Sequence, residues 1–202
     1  MLNAETPRLK FVLFGAHSSL GNALLCELLT RQHEVVAVVD DLNSMTARPG
    51  LRSKPGDLFD ATSVAQSVAG MDAVLCLLDS PELPHGPEHQ ARSLYRAVEA
   101  LLVGMPRVDV DRLLLIGDIP RLAASAEGEA ALQRLAAHPL RWTLVEAQAS
   151  GSDLSIEDFL GELEAGSRPQ QLRRMAAGIA DELENPQHVH QQIHFRDLPK
   201  VG

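Results

Sequence analysis

Five short runs of consecutive apolar residues recur along the first three quarters of the chain: KFVLF (10–14), EVVAVV (34–39), AVLCLL (73–78), RLLLI (112–116) and RWTLV (141–145). None alternates apolar with polar residues, as a strand with one wet face would. Runs of this length and continuity suit strands covered on both faces, as in a parallel sheet between helices. LRSKPGD (51–57) is a weaker strand candidate between the second and third. Helical patterns fill the intervals. Leu20, Leu24 and Leu28, with Leu25 and Leu29 beside them, form one stripe after the first strand. ATSVAQSVAG (61–70) and EHQARSLYRAVEALLVG (88–104) each close on a glycine, and EGEAALQRLAAH (127–138) stops at Pro139.

Strand and helix in alternation predict an α/β protein with a doubly wound, mostly parallel sheet, Rossmann-like, as a single domain over residues 1–202. Its core would occupy 9–147. The remainder, 148–202, is too short to bury a core alone and is expected to pack on it as a short helical extension with a final strand. GSDLSIEDFLGELEAG (151–166) reads as a short acidic helix between glycines, RPQQLRRMAAGIADELENP (168–186) as a long helix, and HVHQQIHF (188–195) as the last strand.

Composition narrows the functions. The net charge is -9, which argues against nucleic acid or an anionic membrane as partner. No apolar stretch approaches the roughly 20 residues of a membrane span. MLNAETPRLK has neither the basic start nor the apolar segment of a signal peptide, so a cytoplasmic location is expected. Cys26 and Cys76 both sit inside apolar patterns and read as buried free thiols.

The candidate chemistry lies at the start. In FGAHSSLG, Gly15 makes the tight turn off the first strand and Gly21 lets the helix pack close to the sheet, which sets backbone N–H groups and a helix N-terminus around an anion. The place of a middle glycine is held by Ser18. A Cβ there costs about 1–2 kcal/mol if the backbone is left-handed, while the hydroxyl offers a donor to phosphate in exchange. Asp40 ends the second strand 19 residues after Gly21. An acid there accepts from both ribose hydroxyls and repels a 2′-phosphate, which favours NAD over NADP. A solvated acidic turn is the plainer reading of Asp40 and Asp41.

KFVLFGAHSSLGNALLCELLTRQHEVVAVVDD resembles the opening of the atypical short-chain dehydrogenase/reductases, the NmrA-like, NAD(P)H-binding group that includes NADH–flavin reductases. That group opens with Gly-Ala-Thr-Gly-x-x-Gly. Gly15, Ala16 and Gly21 match, with His17 for the threonine and Ser18 for the glycine. RPGLRSKPGDLFDATSVAQSVAGMDAVLCLL is similar to the group's third strand, Gly-Asp-x-x-Asp stretch and fourth strand. RLLLIGD resembles its fifth strand, and RMAAGIADELENPQHVHQQIHF its last helix and strand. The resemblance implies a dinucleotide held by Gly15, His17, Ser18, Ser19, Leu20 and Gly21 at the pyrophosphate. It places Asp40 at the ribose, Asp57 and Leu58 at the adenine, and Leu77 and Leu78 along the cofactor. A flavin or quinone-like small molecule would be the acceptor.

The chain also departs from that group. The wider superfamily uses a Tyr-x-x-x-Lys pair for proton transfer; here Tyr95 is the only tyrosine, Glu99 stands where lysine would be, and the helix is the wrong one. The segment after the fifth strand looks shortened, and VEAQASG lacks the proline common after the sixth. No catalytic residue carries over. Flavin-reductase-like members need none, because hydride passes directly between nicotinamide and flavin. A non-catalytic dinucleotide sensor or regulator, and a scaffold that binds no cofactor, are the alternatives.

Other constellations have plain readings. His188, His190 and His194 share one face if 188–195 is a strand, and a polar edge is simpler than a metal site. His85 and His89 read as loop histidines near the nicotinamide end. Asp118 is either a ligand-side acid or a helix cap. Residues 152–158 hold serines and acids without a histidine at hydrolase spacing. A homodimer through the apolar face of SLYRAVEALLVGM (93–105) competes with packing of that face on the sheet.

Overall fold

The computed structural model describes residues 7–78, 93–147 and 151–195. Seven strands form one sheet: β1 (Lys10–Phe14), β2 (Glu34–Val39), β3 (Leu51–Pro55), β4 (Ala73–Leu77), β5 (Arg112–Gly117), β6 (Arg141–Glu146) and β7 (Gln191–His194). They run in the order β3-β2-β1-β4-β5-β6-β7, and every neighbouring pair is parallel. The expected mostly parallel sheet is therefore wholly parallel. The direction of winding reverses between β1 and β4, so the carboxyl ends of these two strands flank the crevice where open α/β sheets take ligands.

The continuous apolar runs have the predicted cause. Phe11 and Leu13 of β1 enter one core layer, Val12 and Phe14 the other, and all four are buried. The first layer lies under α1 (Ser19–Thr30) and α6 (Arg168–Glu184), which pack on each other. The second lies under α2 (Ala61–Val68), α3 (Leu94–Gly104) and α5 (Ala126–Ala136), with the short α4 (Ile119–Ala123) beside α5. The apolar face proposed above for a dimer is used inside the molecule: Ala97, Val98, Leu101 and Leu102 of α3 are buried in the second layer. Each helix starts behind a serine or aspartate whose side chain accepts a backbone N–H of its first turn: Ser18, Asp60, Ser93, Asp118, Ser125 and Ser167. Asp118 is thus a cap.

Three expectations for the last quarter change. Residues 151–166 form no α-helix, only a 3-10 turn at Ile156–Phe159. A capping box between Ser155 and Asp158 starts it, Ile156 and Phe159 bury themselves against α1, and Leu160 is already extended. The final strand is confined to Gln191–His194. The three histidines do not share a face: His188 pairs with Glu182 through Nδ1 at 2.8 Å, His190 has φ 60 and sets Nε2 2.8 Å from the Leu140 carbonyl, and His194 meets Glu146.

A buried ion pair fastens this quarter to the sheet. Arg112, at the start of β5, donates to Glu182 of α6 at 2.8 Å, and both side chains are under 5% exposed. The guanidinium also donates to Thr143 Oγ1 and to the Arg141 carbonyl, each at 2.8 Å. Glu182 accepts from the backbone N–H groups of Gln187 and His188 at 3.2 and 3.0 Å. This side chain of α6 is thus bonded to both β5 and the turn into β7. Burial alone would raise the Glu182 pKa, but the His188 side chain, those two N–H groups and Arg112 together outweigh it and hold the carboxyl below its ordinary 4.5. A depressed carboxyl contributes stability that is complete above its unfolded value and lost as pH falls through the folded one. Arg112→Leu, which leaves this carboxylate buried without its cation, is expected to cost about 3–5 kcal/mol in urea unfolding at neutral pH. The deficit against wild type should shrink as Glu182 is protonated below its ordinary range.

Candidate functional site at the carboxyl edge of the sheet

Gly15 leaves β1 with φ 87, a conformation open to glycine, and the chain doubles back into α1. A Cβ on Gly21 would lie 2.4 Å from the Gly15 carbonyl oxygen and 2.9 Å from that of Ala16. Only glycine lets the first turn of α1 come this close to the end of β1. Both glycines keep the roles read from the sequence.

Ser18 does not. Its backbone is extended, φ -73 and ψ 155, so its Cβ brings no left-handed strain. Its hydroxyl donates to the Gly15 carbonyl at 2.9 Å and accepts the Gly21 N–H at 2.9 Å. The proton offered above to a phosphate is spent on closing the turn. Ser18 is 3% exposed and acts as the helix cap.

The remaining candidates spread along the same edge. His17 is half-buried and holds Nε2 3.0 Å from Ser44 Oγ, tying the turn to the loop after β2. Asp40 ends β2 with its side chain exposed, while Asp41 is occupied in accepting the Asn43 N–H at 2.9 Å. Asp57, exposed after β3, accepts the Phe59 N–H at 3.0 Å beside a half-buried Leu58. Leu77 ends β4 and Leu78 follows it, with side chains in opposite core layers, 4% and 1% exposed, so what they can offer a ligand is backbone. The turn, Asp40 and Asp57 are thus gathered on one edge, at the ends of β1, β2 and β3. Tyr95 is not among them: its N–H donates to Glu127 of α5, and Glu99 pairs with Arg134 at 3.0 Å. His85 and His89 lie outside the described residues.

Two features were not legible beforehand. At the far end of the edge, Glu146 of β6 is 6% exposed, sits 2.6 Å from His194 Nδ1 and accepts Gln192 Nε2–H at 3.1 Å. The only hint is a glutamate closing an apolar run. The second feature bears directly on the turn. Ser19 is 0% exposed, because residues 151–154 lie across the first turn of α1. The Ser19 N–H donates to the Gly151 carbonyl at 2.8 Å. Its hydroxyl donates to Asp153 Oδ1 and accepts the Leu154 N–H, both at 3.2 Å. Asn22 donates to the Leu154 carbonyl at 3.0 Å. Asp153 also binds Arg168 at 2.6 Å, and that guanidinium, with Asp153's own backbone N–H and the Ser19 hydroxyl, holds the carboxyl below its ordinary 3.8.

These residues fit a nicotinamide dinucleotide in outline. The turn ends in the N-terminus of α1, where backbone N–H groups suit an anion, Gly21 permits the close crossing, and Asp40 is an exposed carboxylate at the end of the neighbouring β2. One donor of the cradle, the Ser19 N–H, is engaged by the chain itself.

Fold and turn together define a Rossmann-type dinucleotide-binding protein. The family model for NAD(P)H-binding proteins matches residues 15–154, and the chain belongs to that family. Its cofactor is a nicotinamide dinucleotide. Solved structures share the fold. An epimerase candidate from Bacteroides thetaiotaomicron is 23% identical, with 93% of this chain and 96% of that one covered and a TM-score of 0.67. An NADH–flavin reductase candidate from Streptococcus pneumoniae is 21% identical over 92% and 98%, TM-score 0.62. A short-chain dehydrogenase/reductase from Veillonella parvula, in complex with NADP, is 11% identical over 93% and 94%, TM-score 0.63. No curated protein matches the chain in sequence. Among the described residues no helix is long and apolar enough to cross a membrane.

The cap role of Ser18 is open to test. Ser18→Ala is expected to lower stability by about 1 kcal/mol in urea unfolding, and Ser18→Gly by only a few tenths. Relief of a strained backbone would instead make the glycine variant more stable than wild type.

Proposed function

We propose that the protein binds NAD(H) in preference to NADP(H) and passes reducing equivalents to a small flavin- or quinone-like acceptor. The observation that carries the preference is Asp40, exposed at the end of β2 on the edge that holds the Gly15–Gly21 turn. A carboxylate there accepts from ribose hydroxyls and repels a 2′-phosphate. Asp57 and Leu58, after β3, line the adenine side of this reading, and the backbone at Leu77 and Leu78 the nicotinamide side. When bound, the dihydronicotinamide supplies the hydride. The chain supplies orientation and a dry floor: Phe14, Ala16, Leu77 and Leu78 are buried under the edge. An acceptor of the flavin class suits a site in which Tyr95 and Glu99 face α5 and no tyrosine–lysine pair serves proton transfer.

A second reading, a dinucleotide sensor without turnover, is favoured by the buried Ser19, which makes occupancy a conformational event. Turnover separates the two. Calorimetric titration should show NADH bound more tightly than NADPH, and Asp40→Asn should weaken NADH by about tenfold while narrowing the gap to NADPH. Oxidation of NADH with FMN or a benzoquinone then identifies a reductase; binding without oxidation of either identifies a sensor.

A further inference from the structure

Residues 151–154 fill the anion-binding position at the start of α1 with the chain's own oxygen atoms. The Gly151 carbonyl takes the Ser19 N–H, and the Asp153 carboxylate takes the Ser19 hydroxyl. A helix N-terminus favours negative charge and needs partners for its free N–H groups, and this segment answers both needs. We infer that residues 151–154 are an intrinsic plug of the pyrophosphate site, and that a dinucleotide binds by displacing them. The inference rests on the dinucleotide reading given above.

The segment is built to leave. Gly151, Ser152 and Asp153 are exposed and bury little apolar surface, so what holds them is a small set of hydrogen bonds and one surface ion pair. The anchor just beyond is firm. Ile156 and Phe159 are 6% and 0% exposed against α1, and Ser155 is locked by Asp158. Residues from Ser155 onward therefore stay while 151–154 exchange places with phosphate oxygens. The apparent affinity is the intrinsic affinity multiplied by the fraction of molecules with the plug out, so anything that weakens the plug tightens binding. Gly151 sets that balance. It has φ 67, and a Cβ there would sit 3.0 Å from Asp153 Oδ1 and 3.1 Å from Arg168 Nη2.

The test uses the full chain, NADH as ligand and two variants. Gly151→Ala strains the plugged arrangement without changing charge, and is expected to bind NADH about tenfold more tightly than wild type. Asp153→Asn, which removes the ionic contact with Arg168, should shift in the same direction. Thermal melts establish that both variants are folded. Hydrogen exchange gives a readout independent of activity: the Leu154 amide, bonded to Ser19 Oγ in the free protein, should lose protection when NADH is added, while the Ser19 amide keeps it. NADH binding to wild type and Gly151→Ala with equal affinity, with Leu154 still protected in the complex, overturns the plug and leaves the dinucleotide reading standing. Binding by the variants but not by wild type supports both. No binding by any of the three overturns the dinucleotide reading and the plug with it.

Discussion

The molecule depends on how closely α1 can cross the end of β1. With a side chain at residue 21, an atom would stand 2.4 Å from the Gly15 oxygen, and the helix would have to lift away. Its depth is what buries Leu20, Leu24, Leu25 and Leu28 against the sheet, and what presents a flat flank on which α6 can lie. The same depth brings the N–H of Ser19 to the carboxyl edge. Packing and ligand chemistry are therefore set by one contact, and Ser18 completes it by capping the helix from inside the turn.

The C-terminal quarter answers to that geometry at two points. At the amino end of the sheet, Arg31 at the end of α1 reaches Asp181 and Glu184 of α6 at 2.7 and 2.9 Å, and Arg112 holds Glu182. At the carboxyl end, Arg168 starts α6 and holds Asp153. The two ends differ in exposure. The Arg112–Glu182 pair is buried, and breaking it leaves a charge without water. The Arg168–Asp153 pair is roughly half exposed, at 46% and 63%, and contributes little to stability. One helix is thus stapled firmly where β7 joins the sheet and loosely where the segment crosses the turn.

The elements formed by local pattern were legible in the sequence. Runs such as KFVLF and AVLCLL announce strands covered on both faces, and Gly15 and Gly21 announce the tight turn from β1 into a closely packed helix. What could not be read depends on partners far away in the chain. Arg112 interrupts nothing in RLLLI as a pattern, and its partner Glu182 lies 70 residues on. The acidic stretch 151–166 suggests a helix by composition, yet Ile156 and Phe159 each gain more by packing on α1 than a short isolated helix would return. For Ser18, the sequence left open whether the backbone is left-handed; the extended φ shows a serine in its favoured capping geometry.

The departure at Ser18 and the plug at Ser19 have a common logic. A helix N-terminus aimed at a ligand site must satisfy its N–H groups when the ligand is away. Ser18 takes the Gly21 N–H, and Gly151 takes that of Ser19. The first is internal to the turn and compatible with a phosphate over Ser19. The second, on the plug inference, occupies the place a phosphate oxygen would take at the Ser19 N–H. The loop is thus complete as a turn and conditional as a binding site, and the condition is written in four residues after β6 rather than in the glycine motif itself.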